Sequence, residues 1–291
     1  MYTHRNLHRY VLHARLRHVC RIAALLGCLL LCVSCTARQN TDAALRSALH
    51  SGFAEYPVQT PDYKLFAMLR GAKERSRLLF VYIEGDGHAW KSRTRPSSDP
   101  TPLNPVALRM AQADTGTDAV LYLARPCQYV SDPQCNVHVW TDARLSEKVV
   151  RSLNSAVDAA KQRVGADRVA LIGYSGGGGA AALLAERRSD VVFLGSAAGC
   201  LDTVAWTRKL GVSPLARSLN PIDAASSLAS VPQLHLLGAQ DGTVPPEIGE
   251  AFCRRAGGAR LCRRVPDMRH GGEWEKVWPY DEIRGMLGRA E

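Results

Sequence analysis

The chain has 291 residues, 46% hydrophobic and 22% charged, which suits a globular protein with a sizeable core: one large α/β domain, or two small ones. Its net charge of +10 suggests nucleic-acid binding only until it is divided along the chain. Residues 1–35 hold Arg5, Arg9, Arg15, Arg17 and Arg21 and no acid, so 32 of the 37 basic residues face 27 acidic ones in the remainder, without a long basic run. That excess is too small and too dispersed for a nucleic-acid partner, though it leaves an anionic envelope surface open.

The first element in chain order is a targeting segment. After Arg21 comes an apolar run of twelve residues, Ile22–Val33, too short for a comfortable membrane span and right for a signal-peptide core. Leu31-Cys32-Val33-Ser34-Cys35 resembles a bacterial lipobox, so residues 1–35 are expected to direct export, with lipidation at Cys35. Cleavage after Ala37, or retention of the run as a short anchor, are the alternatives. Five cysteines follow. Cys127 and Cys135 flank a turn-rich loop, and Cys253 and Cys262 flank Gly257-Gly258; both pairs suit local disulfides in an oxidising periplasm, with Cys200 left over in an apolar context. The alternative is that all five stay reduced. No Cys-x-x-Cys or His-x-x-x-His spacing marks a metal site, and no organic cofactor is implied. Nothing bears on oligomeric state.

Residues 36–60 read as a linker and entry segment, with Pro57 and Pro61 marking irregular backbone, and 61–291 as the folded domain. Tyr63–Leu69 alternates like a first strand. Leu78–Ile83 is a continuous apolar run, as in a strand buried on both faces. A Pro-rich loop leads to a short helix near Val106–Ala113 and a second buried strand, Ala119–Ala124. Asp142–Val164 has helical spacing (Leu145, Val149, Leu153, Val157). Arg168–Ile172 is a strand and Gly176–Arg187 a helix. Val191–Gly195, Gln233–Leu237 and Arg260–Val265 are further strands, with helices at Pro246–Ala256 and Glu273–Gly288. This alternation predicts an α/β fold: a mostly parallel central sheet with helices on both faces. Residues 199–221 fit neither period and are expected to form a small cap.

Gly173-Tyr174-Ser175-Gly176-Gly177 lies between a strand and a helix, the setting of a nucleophile elbow. The turn is so tight that Gly173 and Gly177 must lack side chains, and the Gly176 N–H points where the serine oxygen projects. Gly176–Gly179 could equally cradle phosphate or allow close packing. Asp241 follows the strand Gln233–Leu237, and His270 follows Arg260–Val265, giving the chain order Ser, acid, His. Asp241 could instead be a turn former and His270 a surface loop histidine. Asp267 is the runner-up acid, too near His270 in sequence; His88, His138 and His235 are weaker bases.

From Leu78 to its end the chain resembles the α/β-hydrolase superfamily, and within it exported bacterial hydrolase-like lipoproteins. The resemblance implies catalysis by Ser175, His270 and Asp241 and an oxyanion hole from the N–H groups of Gly176 and of Asp86, in Glu84-Gly85-Asp86-Gly87. A carboxylate at Asp86 would repel an oxyanion unless it points away; the alternative is a Gly-rich turn with Asp86 solvated. Trp206, Leu210, Val212, Pro214 and Leu215 would roof an acyl pocket or pack a small cap. Trp90 and Trp140 are expected in the core or at the rim, and Arg125 on the surface or facing the cleft. The expectation is ester hydrolysis on a small-molecule substrate by a periplasmic, membrane-attached enzyme. A thioesterase or peptidase would use the same residues, and a catalytically silent envelope lipoprotein is the alternative from another class.

Overall fold

The computed structural model describes residues 40–72 and 77–288. Cys35 and the expected signal segment lie outside the described residues. Strands β1 (Ala54–Glu55), β4 (Ala67–Arg70), β5 (Leu78–Ile83), β6 (Ala119–Leu123), β7 (Arg168–Tyr174), β8 (Val191–Ala197), β9 (Gln233–Gly238) and β10 (Cys262–Val265) form one sheet in the order β1-β4-β6-β5-β7-β8-β9-β10. The six strands from β6 to β10 run parallel, and β4 runs antiparallel to β6 and β1. Strands β2 (Val58–Gln59) and β3 (Lys64–Leu65) make a separate ribbon.

Alternation sorts the core into two layers, because successive side chains of a strand point to opposite faces. Leu79, Val81 and Ile83 join Leu121, Leu123, Val169 and Leu171 on one face, under α4 (Glu147–Val164), α5 (Gly176–Glu186) and α7 (Pro246–Ala256). Phe80, Tyr82, Tyr122 and Ile172 join Trp274, Trp278 and Ile283 on the other, with α2 (Val106–Ala113), α8 (Trp274–Val277) and α9 (Tyr280–Gly288). Both faces of β5 are therefore sealed, which is why its sequence is an unbroken apolar run.

Several elements differ from expectation for identifiable reasons. Within the expected linker and entry segment, the described residues from 40 on carry regular structure: a helix, α1, covers 40–50 and buries Ala48, and β1 and β2 follow. The expected first strand divides between β3 and β4. The expected helix from Asp142 begins at Glu147, because the Ser146 hydroxyl caps it by accepting from Val149 N; a short α3 (Val137–Trp140) and a turn precede it. The last helix breaks into α8 and α9 at Pro279, which lacks an N–H and holds Trp278 extended. The cap region contains α6 (Thr203–Leu210), which Gly211 ends in a left-handed conformation, and a 3₁₀ helix follows at Pro221–Leu228.

Candidate active site

The carboxyl ends of β5, β7 and β9 and the loop after β10 deliver the site. Ser175 leaves β7 with φ +52° and ψ −122°, a conformation held by Ser175 N donating to Ala197 O at 3.0 Å and Gly178 N donating to Ser175 O at 2.9 Å. The flanking glycines are required by contact. A Cβ at Gly173 would lie 2.1 Å from Gly177 O, and one at Gly177 would lie 2.3 Å from Ile83 O.

His270 Nε2 stands 2.9 Å from Ser175 Oγ, and its Nδ1 stands 2.7 Å from Asp241 Oδ2. The other Asp241 oxygen accepts from Thr243 N and Val244 N, each at 2.8 Å, so the buried carboxylate is bonded on both oxygens. Its orientation is thereby fixed. The His270 carbonyl accepts from Tyr174 Oη at 3.0 Å and Trp274 Nε1 at 2.7 Å, and the Tyr174 ring packs 5.2 Å from the imidazole. His270 is anchored by its own carbonyl, by the Tyr174 ring and by Asp241 together.

The other histidines stay apart from Ser175. His138 bonds Asp142 at 2.7 Å. His235 is buried against Ser196, and burial pushes its imidazole down to about 3, so it stays neutral. His88 lines the same cavity as Ser175 without bonding it. Asp267 occupies a turn and accepts from Gln240 Nε2, away from the imidazole.

The Asp86 carboxylate stands close to the elbow and does not point away from it: a Cβ at Gly176 would lie 2.2 Å from Asp86 Oδ1. Two guanidinium groups offset it, Arg144 Nη1 at 2.5 Å and Arg125 Nη1 at 3.6 Å. Burial raises the Asp86 pKa, but the two arginines outweigh burial and the net shift is downward, so the group stays ionised. Arg125, expected on the surface or facing the cleft, is instead buried beneath Asp86. Arg144 has no sequence motif and was not foreseen; its signal is only that an internal carboxylate demands a cation.

The loop bearing Asp86 is fixed from behind. Glu84 Oε1 accepts from Gly85 N at 2.9 Å, and Oε2 accepts from Tyr122 Oη at 3.2 Å. Burial lifts the Glu84 carboxyl to about 7. Gln128 ties Gly85 O to Arg125 N through its amide, at 2.9 and 3.0 Å. Neither Gly176 N nor Asp86 N is engaged by a protein acceptor among the described residues, leaving both free to donate.

A cavity of about 430 Å³ opens above Ser175, lined by Trp90, Leu103, Arg144, Cys200, Trp206 and Val244 among others. Trp206 of the expected cap thus does face the site, whereas Val212, Pro214 and Leu215 line an adjoining cavity of about 800 Å³ and Leu210 lines neither. Trp140 packs against the core and donates to Ser97 O. Cys200 is buried, and burial pushes its thiol pKa up, against reactivity. The sulfurs of Cys127 and Cys135 lie 2.08 Å apart and those of Cys253 and Cys262 2.02 Å apart, both bonded. No cluster of three metal-ligating side chains occurs among the described residues.

No protein-family profile matches this sequence, and no curated protein does. Solved structures do resemble the fold. An α/β serine hydrolase homologue from Coxiella burnetii superposes with a TM-score of 0.55 at 18% identity, over 81% of this chain and 96% of that one. Ferulic-acid-bound Est1E from Butyrivibrio proteoclasticus gives 0.60 at 17%, over 80% and 98%. A puromycin-hydrolyzing peptidase from Mycobacterium tuberculosis gives 0.55 at 14%, over 79% of this chain and 38% of that one. The chain has the α/β-hydrolase fold.

Proposed function

We propose that the protein is a serine hydrolase that cleaves a carboxylic ester through an acyl-enzyme on Ser175. The observation that carries this reading is the continuous relay from Ser175 Oγ through His270 to Asp241, at 2.9 and 2.7 Å. In this reading Ser175 Oγ attacks the carbonyl carbon while His270 Nε2 takes its proton, and Asp241 holds the imidazole's other N–H and stabilises the imidazolium. The carbonyl oxygen becomes an oxyanion beside the N–H groups of Gly176 and Asp86. The carbon–oxygen bond of the ester then breaks, and the alcohol leaves with the proton from His270. Water attacks the acyl-serine next, giving its proton to His270, and the acid departs as Ser175 regains its hydrogen.

The similar structures include Est1E bound to ferulic acid and a puromycin-hydrolyzing peptidase, so a peptide bond is a second reading for the same residues, and a thioester would use the same acyl-serine chemistry. Ester cleavage is preferred over peptide cleavage because an alcohol asks less of leaving-group protonation than an amine does; a thioester asks less still and stays the alternative within the same chemistry. One observation favours a silent scaffold instead: the Asp86 carboxylate stands against Gly176, where negative charge is unwelcome. Its pairing with Arg144 and Arg125 supports the active reading. The same proposal includes export on residues 1–35 and attachment to the bacterial envelope through Cys35, for which the lipobox-like run and two short-range disulfides are the support.

The test is labelling of the purified mature protein by a fluorophosphonate probe, beside Ser175→Ala and a p-nitrophenyl ester series of rising chain length. Labelling lost in Ser175→Ala, with ester turnover, is expected. A folded protein that neither labels nor turns over any ester would be a silent scaffold.

A further inference from the structure

We propose that Arg144 is a substrate-recognition group, and that the esters this site takes carry a carboxylate held at the junction of its two cavities. The inference rests on the hydrolase reading and names its substrate class.

Arg144 lines both the 430 Å³ cavity over Ser175 and the adjoining 800 Å³ cavity, together with Trp90 and Trp206. Its side chain is almost fully enclosed, and its polar atoms are unevenly used. Nε donates to Thr141 O at 2.7 Å and Nη1 to Asp86 Oδ2 at 2.5 Å, while Nη2 has no partner among the described residues. The guanidinium carbon stands 5.7 Å from the centroid of the Trp206 ring, within reach of a cation–π contact. Trp206 Nε1 in turn donates to Thr243 O at 2.7 Å, beside the acid of the relay.

The local charge is also unbalanced. Arg125 and Arg144, 5% and 7% exposed, converge on Asp86 alone. Arg125 donates Nη2 to the Arg144 carbonyl, and its buried Nε and Nη1 have no hydrogen-bond partner. Two enclosed cations against one carboxylate leave a surplus positive charge, and an enclosed charge without a counter-ion is costly. The other carboxylates lining these cavities are occupied: Glu84 by Gly85 N and Tyr122, and Asp142 by His138 and Arg217. A carboxylate brought by the substrate would supply the missing charge. It would accept from Arg144 Nη2, with the substrate's apolar body between Trp90 and Trp206. Asp86 then has a second purpose: it holds one edge of the guanidinium and turns the free nitrogen outward.

The test uses matched ester pairs on the wild-type protein: p-nitrophenyl pentanoate against mono-p-nitrophenyl glutarate for an acyl-side charge, and phenyl acetate against 3-acetoxybenzoate for an alcohol-side charge. The charged ester of one pair is expected to have the higher kcat/KM, through a lower KM. That preference should fall about 10- to 100-fold in Arg144→Gln, the scale of one lost hydrogen bond to a charged group, and partly return in Arg144→Lys. The preference is a ratio within each variant, so general damage cancels. The double variant Asp86→Asn/Arg144→Gln separates recognition from repulsion: a charge preference restored there would overturn the proposal. As a readout needing no variant, glutarate should slow fluorophosphonate labelling of the wild type more than glutaramide does. Equal protection, or labelling and turnover with no charge preference in either pair, would overturn the proposal and leave the hydrolase reading intact. Absence of all labelling and turnover would remove that reading, and this inference with it.

Discussion

Gly176 lacks a side chain where the Asp86 carboxylate needs the space, since a Cβ would lie 2.2 Å from Asp86 Oδ1. Gly176→Ala should therefore push Asp86 away from Arg144 and shift the loop that carries the Asp86 N–H. Removing one oxyanion-hole donor costs about 10²- to 10³-fold in kcat, and a loss of that size is expected, read from ester kinetics beside the fluorophosphonate labelling rate. Asp241→Asn tests the acid. Asparagine keeps an acceptor for Thr243 N and Val244 N, so the fold should survive, while the imidazole loses the partner that fixes its tautomer. A fall in kcat on the order of 10⁴-fold is expected, and an unchanged kcat would remove Asp241 from the relay. Ser175, Asp241 and His270 were legible because each follows a recognisable strand in a fixed chain order. Arg144 was not, because it sits in a turn with no motif and its role exists only once Asp86 is folded against it.

The two disulfides close loops of similar length but act on different elements. On the chain-entropy model either is worth about 2.5–3 kcal/mol. The Cys253–Cys262 bond joins α7 to β10, away from the cleft. The Cys127–Cys135 bond secures the loop beginning at Gln128, whose amide holds Gly85 O and Arg125 N behind Asp86. Urea melts should show similar destabilisation for Cys253→Ser/Cys262→Ser and Cys127→Ser/Cys135→Ser, whereas only the second pair should also lower kcat. Equal kcat in both would show that Gln128 does not depend on its disulfide. Buried strands were the most readable elements, since enclosure on both faces imposes an apolar run on β5 and β7. Helix boundaries were less so. The Ser146 cap and the Pro279 break are visible in sequence but compete with an apolar spacing that runs on past both. Helix α1 was missed beside two prolines, although Leu45, Ala48 and Leu49 carry helical spacing.

For the molecule as a whole, the export proposal predicts that mass spectrometry of the native protein finds a diacylated Cys35 as its first residue; an intact Met1 would sink it. Global stability offers a second test, through Glu84, whose buried carboxyl titrates at about 7 against an ordinary value of 4.5. An acid whose pKa rises on folding holds a proton that the unfolded chain has already released, so between about 4.5 and 7 its contribution to stability falls as pH rises. At 1.36 kcal/mol per unit the full effect is on the order of 3 kcal/mol. His235 works in the opposite sense, because its imidazole is held neutral down to about 3 and stability rises with pH through the range above that. The two slopes overlap and partly cancel in the wild type, so the wild-type melt alone cannot isolate either group. The difference between Glu84→Gln and wild type does, since His235 contributes equally to both. Relative to wild type, the variant should gain stability steadily from pH 4.5 to 7 and hold that gain at pH 8. A difference that stays flat across this range would mean that the Tyr122 hydroxyl and the Gly85 N–H already keep Glu84 ionised at no net cost.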